Sequence, residues 1–331
     1  MKKVLKALLI VAISLIALVF IICNLLFKMP VWNYYQASER TFSLPDIHSG
    51  FIPQGFEYVE TDGNFLVTGY MNDGSASPVY VLDKEGNILS KVSLPDKEGH
   101  TITSHNGGIS IYKDFVYVAG GQDCCVNIYS YEDILNGSPK HLGVIDLKFA
   151  EDDYLGPAFV TASEGKLIIG EFYRLENYPT CASHQFTTSA GGQNHALAIV
   201  YELGDYPNSF GYNPASAEIW SIPDLTQGIA FKDGKIYTSA SYAVAKSDIR
   251  VFDYAKANSG KTIDLLGQKS APLYELDSNS LENSYLFAPM AEEITFVDGR
   301  IYTMCESASN KYIFGKFTGH TKCYATDLTK M

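Results

Sequence analysis

The feature that most constrains this chain is one phrase that occurs five times: a small or polar start, an apolar strand, a tight turn, then a second strand. It reads PQGFEYVETDGNFLVT from Pro53, NGGISIYKDFVYVAG from Asn106, PAFVTASEGKLIIG from Pro157, TQGIAFKDGKIYTSAS from Thr226 and AEEITFVDGRIYTMCE from Ala291. One hairpin returning at roughly 50–70-residue spacing means a small sheet repeated radially, which predicts an all-β, five-bladed β-propeller. A chain rich in aromatic residues, with Tyr 23 and Phe 18 against 19% charged residues, suits many short half-buried strands.

A second phrase predicts how the ring closes. SLPD at 43–46 and 93–96, and SIPD at 221–224, each precede an inner strand. Each reads as the end of an outermost strand, with proline stopping the ladder. The first copy precedes any complete blade, so residues 40–44 are expected to be the outer strand of a blade otherwise built near 322–328. Blades one to four are expected at about 53–94, to 147, to 223 and to 277. A six-bladed ring, with a degenerate blade within 175–220 or 255–290, is the alternative.

The first 28 residues are a separate unit. Residues 7–27 form an uncharged, overwhelmingly apolar run bracketed by Lys2, Lys3, Lys6 and Lys28. About 20 such residues span a bilayer. The run is too long for a signal-peptide core and lacks a small-x-small exit, and Ile21 and Ile22 before Cys23 do not suit a lipoprotein signal. The expected organisation is a cytoplasmic stub and signal-anchor over 1–28, a linker over 29–38 and an extracytoplasmic propeller over 39–331, inserted with the lysines inside. With strands lettered a to d from the axis outward, ligands are expected on the face of the d–a and b–c connections. The short linker is expected to turn the opposite face towards the membrane.

Setting aside those four lysines leaves 21 basic against 37 acidic residues, a balance of −16. That disfavours nucleic acid and anionic lipid surfaces as partners. Cys124, Cys125, Cys181, Cys305 and Cys323 show no C-x-x-C pair. A bridge from Cys124 or Cys125 to Cys181, and one between Cys305 and Cys323, are open possibilities in an oxidising compartment.

Aligning the hairpins puts Gln54, Gly107, Ala158, Gln227 and Glu292 at one level of the channel mouth. The next level holds Gly55, Gly108, Phe159, Gly228 and Glu293, where glycine permits close backbone approach. Gln54, Gln227 and Glu292 come from adjacent blades and form a polar wall opposite a small-residue wall, suiting an off-axis organic ligand. The b–c connections add Tyr70-Met71-Asn72, Gln122-Asp123, Glu171-Phe172-Tyr173-Arg174, Ser241-Tyr242 and Glu306-Ser307. Residues 173–195 make the longest connection and are expected either as a lid or as a disordered insertion. The expected ligand-binding set is Gln54, His105, Asn106, Glu171, Arg174, Gln227, Tyr242, Glu293 and Glu306, with Glu292. No cofactor or metal is expected, although Glu171, Glu292, Glu293 and Glu306 with His100 and His105 contain donors for calcium or zinc. Neither a G-x-S-x-G elbow nor a phosphate-binding glycine loop is present.

P-Q-G at 53–55, H-N-G-G at 105–108, T-Q-G at 226–228 and M-A-E-E at 290–293 resemble a group of secreted or membrane-anchored bacterial propellers, over most of 40–310. That resemblance brings no activity with it. At fold level the chain is similar to the regucalcin, gluconolactonase and strictosidine synthase propellers. A narrower likeness is to plant-type glutaminyl cyclotransferases: Thr226-Gln227-Gly228, Ser241-Tyr242 and Ser247 to Arg250 resemble their T-Q-G…S-x-x-x-S-x-x-R stretch. Glu292 falls where that family has its essential glutamate. Glu293 replaces a glycine and Met304-Cys305 an aromatic residue, and only two blades match. The resemblance implies Glu292 as proton shuttle in forming N-terminal pyroglutamate. The residues themselves predict non-catalytic binding of a small polar molecule, peptide or glycan at the channel mouth, with cyclotransferase-like or lactonase-type chemistry as the alternative.

Overall fold

The computed structural model of the protein describes residues 2–120 and 123–331. Five sheets surround one axis. Blade one is Phe51–Val59, Asn64–Met71, Pro78–Leu82 and Ile88–Ser93. Blade two is Ile109–Tyr112, Phe115–Ala119, Cys125–Ser130 and His141–Asp146. Blade four is Thr226–Lys232, Lys235–Ala240, Ser247–Asp253 and Leu281–Phe287. Blade five joins Ala291–Val297, Arg300–Cys305 and Lys322–Thr326 to the N-terminal strand Ser38–Ser43. The closing strands pair antiparallel, Ser38 opposite Thr326 and Arg40 opposite Tyr324, which removes the free seam of an open ring.

Blade three departs from the expected boundaries. Its inner four strands are Pro157–Ser163, Lys166–Glu171, Ala196–Leu203 and Tyr212–Ile222. The hairpin Asn258–Leu265 and Gln268–Glu275, expected within blade four, instead extends blade three to six strands. Its attachment is parallel, Ile219 opposite Leu273 and Ser221 opposite Glu275. Trp220 anchors it, fully buried beside Tyr274, with Tyr254 stacked on Tyr274 at 4.7 Å. SIPD therefore ends a fourth strand but not an outermost one. Blade four takes its outer strand from beyond Asp277.

Strand pairing slips at one place in the inner strand of four blades, at Pro53/Gly55, Pro157/Phe159, Thr226/Gly228 and Ala291/Ile294. A bulge turns two consecutive residues towards the same side, so both upper levels of the alignment face the channel. The axis below is closed by close backbone approach. A Cβ on Gly55 would lie 2.7 Å from the Ile109 nitrogen, and one on Gly228 2.7 Å from the Glu293 Cα.

The apolar run is helix α1, Lys2–Lys28, with no residue buried. The segment beyond it is not an extended linker. A short turn, Met29–Val31, leads into α2, Trp32–Ala37, and Val31 and Tyr34 are buried against Phe287, Ala291 and Tyr324. Tyr34 also stacks on buried His320. The helices run down the outside of blade five. Tyr35 Oη donates to the Thr318 carbonyl (2.6 Å) beside the b–c connection, and the Asp327 amide donates to the Ala37 carbonyl (2.9 Å) at the far end of the last strand. Helix α1 therefore rises from the b–c face, not from the opposite face the short linker suggested.

Candidate functional site

At the channel mouth between blades five, one and two, the bulges and b–c connections assemble one polar cluster. Gln54 Nε2 donates to Glu306 Oε2 at 3.0 Å, and Tyr312 Oη donates to Glu306 Oε1 at 2.7 Å. Gln54 Oε1 accepts from His105 Nε2, whose ring lies 4.4 Å from that of Tyr70. That orientation of the amide makes Nε2 the protonated nitrogen and leaves Nδ1 as a lone pair. Lys311 Nζ donates to Tyr70 Oη (2.5 Å) and lies 5.1 and 5.3 Å from the rings of Tyr70 and Tyr312. His105 is exposed as a residue, but its ring is partly desolvated in the mouth. That desolvation, then the Lys311 charge, lowers its pKa to about 4, so the imidazole is neutral at pH 7.

Glu292 makes no hydrogen bond to this network. Its side chain is 2% exposed, and Oε1 is enclosed without a hydrogen-bond partner among the described residues. Burial, then the neighbouring charges of Glu306 and Glu293, push it well above the ordinary carboxylate range, against a smaller lowering by the Lys311 ammonium. Glu306 is also raised, chiefly by burial. Two buried carboxyls this close oppose each other's ionisation. A buried polar atom without a partner costs about 1–3 kcal/mol, and such atoms in folded proteins call for an explanation.

The other expected site residues go elsewhere. Glu293 points into the axis, where Oε2 accepts the amides of Phe56 (2.7 Å) and Ile109 (3.1 Å), while Oε1 is buried without a partner among the described residues. It staples three inner strands and does not face a ligand. Glu171 is buried and accepts from the Leu197 amide (2.9 Å), while its Oε1 pairs with His184 Nδ1 at 2.8 Å. Asn106 is buried and donates to Thr68 Oγ1 at 3.3 Å. Gln227 sits half-buried on its bulge. Arg174 lies 4.1 Å over the Tyr242 ring on the blade three and four side of the mouth. Gln122 lies outside the described residues.

The long connection of blade three is neither a lid nor disordered. Only its first turn, closed by the Arg174–Tyr178 bridge, stays near the mouth. The rest carries the hairpin Phe186–Thr187 and Gln193–Asn194 and is pinned outward. His184 ties it to Glu171, the Ser189 amide donates to Glu275 (2.9 Å), and Asn194 donates to the Ser221 and Leu276 carbonyls. Among the described residues no three His, Cys, Asp or Glu side chains are grouped as a metal ion would need; exposed His100 faces Asp96 instead (3.5 Å). All six cysteines are free. Cys305 and Cys323 pack into different cores on opposite faces of blade five, so they cannot bridge.

Sequence reasoning missed Lys311 and Tyr312, because nothing in the blade repeat marks the blade-five connection. It also missed Glu57, which faces the channel below the plug because the bulge at Gln54 resets the alternation. Glu57 accepts from Ser110 (2.5 Å) and Thr295 (2.8 Å), and burial raises it to about 7. It floors a cavity of about 330 Å³ opening on the opposite face, past Lys113 and Lys232. A second cavity of about 250 Å³ lies at the rim, lined by Asn194, Arg250 and Asp277. Both are away from Glu292.

The stretch resembling the cyclotransferases is largely used structurally. Ser247 Oγ accepts the Ala291 amide at 3.0 Å, and Arg250 is tied to Asp248 at 2.6 Å.

Fold and site together define a five-bladed β-propeller with an N-terminal helix long and apolar enough to cross a membrane. No protein-family profile matches the chain, and no curated protein matches it. Among solved structures it is similar to a glutaminyl cyclase from Myxococcus xanthus, at 12% identity and TM-score 0.42, over 80% of this chain and 90% of that one. It is also similar to a gluconolactonase from Xanthomonas campestris, at 11% identity and TM-score 0.41, over 87% and 94% of the two chains. A luciferin-regenerating enzyme matches at 10% identity and TM-score 0.44, over 87% and 95%. Likeness at that distance says nothing about activity.

Proposed function

We propose that the protein is a membrane-anchored, extracytoplasmic propeller that binds a small polar ligand, peptide or glycan bearing a primary amine at the mouth between blades five, one and two. The observation that carries this reading is the Glu292 carboxyl at the mouth, buried, raised, and hydrogen-bonded to none of the described residues, whereas Glu293 beside it is engaged by the Phe56 and Ile109 amides. Glu57 has the opposite character: its partners are all supplied from within the ring. An ammonium group against Glu292 would supply the missing donor, and Glu306 stands near enough to share its charge. Tyr70 and Tyr312, which now flank the Lys311 ammonium, offer aromatic faces to a cation. His105 Nδ1 and Gln54 supply polar contacts beside it.

The test is a titration of the full-length protein in detergent with a short peptide, in free and N-acetylated forms. The free peptide is expected to bind and the acetylated one not. Glu292→Gln is expected to weaken binding at least tenfold without lowering the melting temperature. Equal binding of both peptides would overturn the reading.

The raised carboxyl also favours a second reading, cyclotransferase-like chemistry. A carboxyl raised above its ordinary range holds its proton more readily and can deliver it to a departing amine. Ammonia release from a peptide with N-terminal glutamine, lost in Glu292→Gln, would establish it. Binding without ammonia release would leave the protein a receptor-like module.

A further inference from the structure

The two ends of the structure that sequence reasoning set apart, the anchor and the mouth, lie on the same face. Helix α1 leaves the ring beside the b–c connection of blade five, and Phe317 of that connection touches Phe20 and Phe27 of α1 at ring distances of 5.3 and 6.3 Å. Both phenylalanines belong to the apolar run that would lie in the bilayer. Phe27 stands at the end of that run and Phe20 about 10 Å further in, so Phe317, touching both, reaches past the interface end of the helix. The joint between α1 and the ring is fixed on both sides, with Lys28 over the Tyr35 ring at 5.8 Å and Val31 and Tyr34 buried. The helix is therefore set in the mouth face and does not trail from it.

The loop tips of that face have the composition such a position requires. Outside α1 and the joint residues Met29 and Trp32, the most exposed large apolar side chains are Ile313 at 77% and Leu175 at 76%, followed by Tyr178 at 53% and Val244 at 51%. All four tips lie on the b–c connections of blades five, three and four. Arg174, Lys246, Lys311 and Lys316 accompany them, although the propeller as a whole is acidic. The exposed acidic tips Asp73, Asp123, Glu151, Asp152 and Glu176, the last beside Leu175, belong to blades one to three, leaving Lys246, Lys311 and Lys316 on the connections of blades four and five. Apolar tips set among basic residues are the pattern of protein surfaces that settle into head groups.

We propose that the mouth face is seated on the bilayer leaflet next to the propeller, tilted so that Ile313, Phe317 and Val244 enter the head-group layer. The site around Glu292 then opens onto the membrane surface and takes a membrane-borne amine that approaches in the plane of the leaflet. This rests on α1 being retained as an anchor. Of the ring's two faces, the one with the Glu57 cavity is turned to the bulk solvent.

Depth in the membrane tests the proposal without reference to any ligand. The full chain, with intact mass confirming that α1 is present, is reconstituted into phosphatidylcholine vesicles whose acyl chains are brominated near the head group. Ile313→Trp and Val244→Trp are compared with Lys84→Trp, on a turn of the opposite face. The unsubstituted protein gives the background of Trp32 and Trp220. Quenching of the indole introduced at position 313 or 244 is expected to exceed that at position 84 several-fold. Equal quenching at the three positions, or quenching strongest at position 84, would overturn the seating with α1 intact. Loss of α1 by cleavage would overturn the anchor on which it rests. Failure of amine binding with this depth profile unchanged would sink the site reading alone.

Discussion

Glu292 concentrates the chemistry of the mouth because three local facts coincide. A bulge turns it into the channel, the ring buries it, and no neighbour among the described residues donates to its Oε1. Its sign on pH follows. A raised carboxyl must lose its proton to pair with an ammonium, so amine binding releases a proton and strengthens as pH rises, by up to about tenfold per unit below the raised value. The rise ends when the amine itself deprotonates. Titration between about pH 5 and pH 8 checks this, and an affinity flat across that range would show that the amine does not meet a protonated acid. Aligned repeats placed Gln54, Gln227 and Glu292 on one wall with His105 nearby. Gln54 and His105 do bond at the mouth with Glu306 of the b–c connection, but no hydrogen bond joins Gln227 to them among the described residues. Glu293 was misread for a physical reason: adjacent residues on a bulged strand share the channel but not its depth. One step deeper lies the glycine-lined axis, where a carboxylate becomes a staple for backbone amides.

At the scale of elements, the hairpin repeat and the SLPD phrase carried the blades and their closure, because inner strands are buried and strictly patterned. The elements that escaped are on the outside. The strands over 258–275 expose most of one face, so their pairing partner is decided by Trp220 and Tyr274 rather than by alternation. Residues 29–37 looked like a linker because the aromatic side chains that dock them are distant in sequence, at Phe287, His320 and Tyr324. Their docking makes a prediction about truncation. A chain beginning at Met29 is expected to retain the melting temperature of the full protein, whereas one beginning at Ser38 loses Val31 and Tyr34. Fully burying such side chains contributes about 1.5–3 kcal/mol each. The shorter chain is therefore expected to melt several degrees lower. Identical melting of the two chains would show that α2 adds nothing to the ring.

The whole molecule buries acidic groups along its axis, and its stability should report them. Glu57 titrates at about 7 when folded against 4.5 as its ordinary value. The folded ring therefore holds a proton the unfolded chain has lost between those values. Stability from this group is highest below about pH 4.5, falls as pH rises towards 7, and is level above it. Glu57→Gln should keep a hydrogen-bonding amide beside Ser110 and Thr295 and flatten the decline in melting temperature from about pH 5 to pH 8. An unchanged decline would place the protons elsewhere.

The central claim concerns one proton on one side chain, and difference infrared spectroscopy of the full-length protein reads it directly. Adding a primary-amine peptide is expected to bleach a protonated-carboxyl band and raise a carboxylate band, with both changes absent in Glu292→Gln. A spectrum without carboxyl change on amine addition, or the same change in Glu292→Gln, would contradict the account.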